Sequence, residues 1–162
     1  MPTIKRFEDL ESWQEARNLM KIIYKIIKND RFRKDLRLVG QITGSAVSAM
    51  SNIAEGFHRN SNREFMRFLD YSRASVAETL SHSYVALDQE YISQEEMERV
   101  KEQAEFVWKK VNNFISYLNQ GSKSHKESRK YESMDFVDKK ERRHETHKTN
   151  GTDRTSKTNP TN

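Results

Sequence analysis

Apolar residues recur along this chain at steps of three and four, and the breaks between the runs divide it into segments. From about Leu10 to Lys28, Trp13, Ala16, Met20, Ile23 and Ile27 share one face of an α-helix, with Asp9 or Ser12 placed to cap its start. Asn29-Asp30-Arg31 interrupts the pattern. A second segment, from about Lys34 to Glu55, has an apolar stripe of Val39, Ile42, Ala46, Ala49 or Met50, and Ile53. Beside that stripe Gly40, Gly44, Ser48, Asn52 and Gly56 recur every fourth residue. A glycine inside a helix costs about 1 kcal/mol relative to alanine. The repeat therefore predicts a backbone pressed against a neighbouring helix, with Gly56 as the C′ glycine that ends the segment.

The third segment opens on Ser61-Asn62-Arg63-Glu64, the serine and glutamate spacing of a capping box. It continues through Phe65, Phe68, Leu69, Ser72, Ser75, Val76, Thr79, Leu80, Ser83 and Leu87, with small residues at its centre. The fourth opens on Ser93-Gln94-Glu95-Glu96, a second capping box. Met97, Val100, Ala104, Val107, Val111, Phe114 and Leu118 follow in an alternating three-and-four pattern, the a and d positions of a heptad. Short connections between helices of similar length predict an all-α fold, an antiparallel up-down-up-down four-helix bundle over residues 1–120. No segment alternates with period two.

Residues 121–162 break this pattern. Tyr131, Met134, Phe136 and Val137 are the only large apolar residues among Lys, Arg, Ser, Thr, Asn, Glu and His. Such a stretch buries too little apolar surface to offset its ordering entropy, so a disordered basic tail is expected. Of the 162 residues, 29 are Lys or Arg and 24 are Asp or Glu, a net charge of +5. The tail holds 11 basic and 7 acidic residues and thus most of the excess.

The absence of cysteine excludes disulfides, thiol chemistry and cysteine-ligated zinc. No apolar run approaches the roughly 18 residues of a membrane span. The first residues lack the apolar core of a secretory signal, so a cytoplasmic location is expected. No phosphate loop or nucleophile elbow is present, and no enzymatic activity and no cofactor are expected. A carboxylate metal centre built from Glu55, Glu64 and Glu78 with His58 or His82 is disfavoured by spacing, because a ferritin-like site needs Glu-x-x-His pairs on two helices.

The apolar arc of the first helix is wide, with Leu19, Ile22 and Ile26 beside the core stripe. Tyr24, Phe57, Tyr71, Tyr84, Phe106 and Tyr117 also lie at or outside the core positions. A second buried face, and hence a homo-oligomer, is the natural outlet. Asn52 and Glu55 share an i, i+3 spacing with Ser75 and Glu78 on the next helix. Close packing of these small-residue helices would desolvate all four, so they are expected to bond across the pair or to the 57–62 loop.

Charge is unevenly spread. Residues 17–73 hold 12 basic and 5 acidic side chains, and residues 74–120 hold 4 and 8. Arg59, Arg63 and Arg67 repeat every four residues, and Arg17, Lys21 and Lys25 form a stripe on the first helix. These six are the candidate phosphate-binding residues, for RNA or DNA. No base-reading module is visible, so contacts to the sugar-phosphate backbone would dominate. The alternative is a structural or protein-interaction scaffold whose basic face docks an acidic partner.

The most specific stretch is Ser48-Ala49-Met50-Ser51-Asn52-Ile53-Ala54-Glu55-Gly56. With Phe7-Glu8-Asp9-Leu10 and Trp13, Gln41, Arg59, Ser61, Glu64-Phe65, Ser75 and Glu78, it resembles a bacterial family of four-helix-bundle proteins. That family was first noticed as reading frames in intervening sequences of large-subunit ribosomal RNA. It is similar in turn to the accessory variability proteins of diversity-generating retroelements. The resemblance covers the bundle and not the tail. It implies a non-enzymatic ring-like homopentamer, with RNA or DNA and a reverse transcriptase as partners of the retroelement relatives. Ile42-Thr43 after Gln41, Met50 before Ser51 and Ala74 before Ser75 depart from the usual family pattern.

Overall fold

The computed structural model describes residues 4–120. They fold into four helices: α1 (Glu11–Ile26), α2 (Leu36–Phe57), α3 (Asn62–Asp88) and α4 (residues 94–120). Short 3-10 turns at Phe7–Asp9 and Phe32–Lys34 precede α1 and α2. No strand occurs among the described residues. The tail expected over residues 121–162 lies outside them.

Contacts between the helices establish the antiparallel order. Ser72 meets Ala49 and Thr79 meets Ser45 across α2 and α3. Gln103 and Lys110 of α4 reach Glu15 and Glu11 of α1. Phe65 of α3 packs edge-on against Phe114 of α4, with ring centroids 5.2 Å apart. Each helix therefore neighbours two others, and α1 stands diagonally across from α3.

Both expected serine caps form, and the second completes its capping box. Ser61 Oγ accepts from the Glu64 amide at 3.2 Å. At the start of α4 the exchange is reciprocal: Glu96 N donates to Ser93 Oγ at 3.1 Å and Ser93 N donates to Glu96 Oε2 at 2.9 Å. Asp35 caps α2 by accepting from Leu38 N at 3.0 Å. At α1 the expectation fails. The N-cap residue is Leu10, which has no side-chain cap, because the 3-10 turn ahead of it sets the entry of the chain. Ser12 lies two residues inside the N-cap position and is buried in the bundle.

The core of α4 follows its heptad, with Met97, Val100, Ala104, Val107, Val111 and Leu118 all buried. On α1 the buried residues are Ala16, Leu19, Ile23 and Ile26, while Trp13, Met20 and Ile27 are only partly buried. At 100° per residue, the apolar residues of α1 span an arc of about 180° from Ile22 to Trp13. The core sits at the centre of that arc, and the expected stripe had taken one edge of it. Leu19 and Ile26 are thus not surplus surface.

The small-residue seam between α2 and α3 is held by hydroxyls. Ser72 Oγ donates to the Ala49 carbonyl at 2.7 Å, and Thr79 Oγ1 lies 2.9 Å from Ser45 Oγ. Ser75 Oγ lies 3.2 Å from Ser48 Oγ. The glycines behave otherwise than expected. A Cβ placed on Gly40 or Gly44 would meet nothing within 4 Å, so the stripe opens outward over the first half of α2. Only Gly56 is pressed: a Cβ there would come within 2.7 Å of both Phe65 Cδ2 and Phe68 Cβ. Gly56 is not a C′ residue either, since α2 runs on to Phe57 and Gly56 keeps a negative φ.

Candidate nucleic-acid interface

Arg59, Arg63 and Arg67 gather where α2 turns into α3. The connection is short because Ser61 caps α3 almost as soon as α2 ends, so Arg59 stands one turn before Arg63. Arg59 pairs with Glu55 and lays its guanidinium over the Phe68 ring, 4.5 Å from the centroid. Arg67 Nε donates to the Tyr71 hydroxyl at 2.6 Å, and its guanidinium is 5.5 Å from that ring. Phe68 and Tyr71 pack edge-to-face, with centroids 5.7 Å apart. Arg59 and Arg67 are thus held on an aromatic shelf. Arg63 is exposed and has no partner among the described residues.

Arg17, Lys21 and Lys25 are exposed on α1. Arg17 lies over the Trp13 ring at 5.6 Å. A chain of ring contacts, Trp13 to Phe7 at 5.2 Å and Phe7 to His58 at 6.0 Å, links the Arg17 end of α1 to the residue before Arg59. The acidic side of α4 includes Glu95, paired with Arg99 at 2.5 Å, and Glu98, 3.7 Å from Lys101.

The motif residues part company. Ser75 bonds across the seam as expected, but Asn52 Nδ2 donates within its own helix to the Ser48 carbonyl at 2.9 Å. Glu55 is exposed and serves Arg59, and Glu78 is exposed with no partner among the described residues. The seam admits hydroxyls but not carboxylates, because a desolvated charge costs far more than a hydroxyl that can bond a carbonyl one turn back. His58 packs its ring against Phe7 and Phe57, with centroids 6.0 and 5.5 Å away. Among the described residues no three His, Asp or Glu side chains gather in a metal-binding arrangement. None of these helices is long and apolar enough to cross a membrane.

Sequence reasoning missed the aromatic partners of the arginines. The i, i+4 pair Arg67–Tyr71 was legible from spacing. The Arg59–Phe68 contact was not, because it depends on the close approach of α2 and α3 at Gly56.

A family model described as 23S rRNA-intervening sequence protein matches residues 8–113, well over half of the chain. A crystal structure at 1.70 Å of a protein of unknown function from the S23 ribosomal protein family of Bacteroides thetaiotaomicron is similar in fold. Its TM-score is 0.58 at 22% identity, covering 64% of this chain and 97% of that one. The chain matches no curated protein.

Proposed function

The chain belongs to the 23S rRNA-intervening sequence protein family, and from that premise we propose that it binds nucleic acid without catalysing a reaction. Arg59, Arg63 and Arg67 contact phosphates of RNA or DNA. The observation that carries this reading is the gathering of three guanidiniums at one corner, two of them seated on Phe68 and Tyr71. Arginine is suited to this task because its planar fork engages phosphate oxygens in pairs and stays charged at any physiological pH. Affinity on this reading comes mainly from the backbone and is only weakly specific in sequence. A homo-oligomer that repeated the corner would raise avidity. Exposed Tyr71, Tyr84, Val85 and Phe106 offer apolar surface for self-association.

The test is a titration of labelled single-stranded RNA at two salt concentrations. The proteins compared are the full-length parent, the full-length variant with Arg59, Arg63 and Arg67 changed together to Glu, and residues 1–120 alone. The parent should lose affinity steeply with salt, and the triple variant should lose about one unit of log-log slope per phosphate contact removed. If the triple variant binds like the parent, or residues 1–120 bind nothing at low salt, this corner is not the site. Docking of an acidic protein partner then becomes the better account of its charge.

A further inference from the structure

A cavity of about 740 Å³ opens at the same end of the bundle, between the start of α1, the α2–α3 connection and the last turns of α4. Its size falls within the range of about 300–1,000 Å³ typical of small-molecule sites. The wall combines three kinds of group. Aromatic rings come from Phe57, Phe65, Phe114 and Tyr117. The last two are stacked at 12° with centroids 6.1 Å apart, and Tyr117 is 52% exposed. Carboxamides come from Asn60, Asn62 and Asn113, none of which is hydrogen-bonded to the described residues. The third is Ser12, which is 3% exposed and whose Oγ has no hydrogen-bond partner.

The charges in the wall argue for a neutral occupant. Lys110 Nζ lies 2.7 Å from Glu11, whose carboxylate holds the ammonium above its ordinary pKa range, and Arg59 is paired with Glu55. Asp9 and Glu11 balance Arg59 and Lys110. A carboxylate or phosphate inside the cavity would face Asp9 and Glu11, and Glu11 already holds Lys110. A flat, neutral ring with hydrogen-bonding edges matches the other groups: aromatic faces stack it, and carboxamides present a donor and an acceptor side by side. Asp9 can accept from an exocyclic amine or a ribose hydroxyl. Arg63 follows Asn62 of the wall and keeps a free guanidinium outside for the attached phosphate.

We propose that this cavity receives a single nucleobase, stacked on the Phe114–Tyr117 pair and hydrogen-bonded by the surrounding carboxamides. The proposal rests on the nucleic-acid reading above, because it makes the arginine corner the backbone contact of a nucleotide whose base is turned inward. It also extends that reading, because a free nucleoside has the same base and should enter the same site.

The test uses the full-length protein with three probes: adenosine, an eight-nucleotide oligo(rA), and an abasic oligomer of equal length. Nitrogen-proton NMR should show adenosine shifting the Asn113 side-chain signals and the amides around Ser12. Asn113→Leu and Tyr117→Ala should each weaken adenosine by about tenfold, the effect of losing one good hydrogen bond or stacking contact. Both variants should keep the parent's thermal midpoint, since both side chains are exposed. Oligo(rA) should bind more tightly than the abasic oligomer, and the difference should shrink by about the same tenfold factor in Asn113→Leu. Ser12→Ala should fold at least as stably as the parent, because it removes an unpartnered buried hydroxyl. If adenosine shifts none of these signals, or if oligo(rA) and the abasic oligomer bind alike, the cavity is not a base site. Binding of both oligomers with equal affinity and steep salt dependence would leave the arginine corner standing alone. Failure of both oligomers to bind, with adenosine still bound, would remove the corner and keep the cavity.

Discussion

The two halves of α2 carry the same four-residue repeat of small side chains and live in opposite surroundings. At the end of the helix Gly56 lies in contact range of Phe65 and Phe68, and only the absence of a Cβ lets α3 approach so closely. In the first half Gly40 and Gly44 face open space. Between them Ser45, Ser48 and the Ala49 carbonyl bond to Thr79, Ser75 and Ser72. A four-residue repeat thus does not mark one face of a long helix. At 100° per residue it winds by about 40° at each step, so Gly40 and Gly56 lie about 160° apart around α2. Gly56 falls among the buried residues and Gly40 and Gly44 fall on the opposite side.

The largest effect should come from the pressed end. Gly56→Ala places a methyl 2.7 Å from Phe68 Cβ, an atom fixed to its backbone, so α2 and α3 must move apart. Overpacking of this kind costs about 1–3 kcal/mol and outweighs the roughly 1 kcal/mol of helix propensity that alanine gains. A net loss of up to about 2 kcal/mol is expected in denaturant midpoints. A stabilised Gly56→Ala would show that the phenylalanines yield and that the two halves of α2 do not differ. The same separation should move Phe68 away from Arg59, so RNA affinity should fall along with stability.

The middle of the seam should respond less. Ser72→Ala removes the buried bond to the Ala49 carbonyl, and Thr79→Val removes the hydroxyl that Ser45 meets. Each should cost about 1 kcal/mol, the net worth of an ordinary hydrogen bond. Because Ser45 Oγ keeps its bond to the Ile42 carbonyl at 3.1 Å, Thr79→Val strands no buried polar atom. A loss near 3 kcal/mol for either would mean that these hydroxyls act as one network and that the seam is more tightly coupled than its pairs.

What was legible in the sequence follows the same division. The four helices, their antiparallel order, both serine caps and the α4 heptad depend on local chemistry and on periods that a single strand of text records. The family motif was legible as well. The true core line of α1 was not, because α2 and α4, far away in sequence, decide which of its apolar residues are covered. The outward direction of Gly40 and Gly44 was legible by counting 100° per residue, but reading the repeat as a single face misses it. The missing cap at Ser12 is set by the adjacent 3-10 turn. The candidate site shows the same limit. Arg59, Arg63 and Arg67 were found by their spacing, but the seat of Arg59 on Phe68 required knowing how closely α2 and α3 approach. The cavity beside them was invisible, because its wall is assembled from three parts of the chain that share no motif.

The smallest effect is also the one with opposite sign. Gly44→Ala adds a methyl where nothing lies within 4 Å, so the isolated bundle should gain about 0.5–1 kcal/mol from the reduced freedom of its unfolded chain and better helix propensity. Gly40→Ala should do the same, and the two should add, since their methyls would share no packing partner. For a domain of this size the pair should raise the thermal midpoint by about 5 °C. Self-association would change that outcome in a measurable way. If the open half of α2 is where a second copy packs, the glycines are pressed in the assembly as Gly56 is pressed within the chain. The methyls would then lower the mass seen by light scattering while the dilute monomer still gained stability. Gain without any change in mass places self-association elsewhere, on the exposed Tyr71, Tyr84, Val85 and Phe106. Loss of stability in the dilute monomer would mean that α2 is covered along its whole length by its own chain, and the contrast between its two halves would fall.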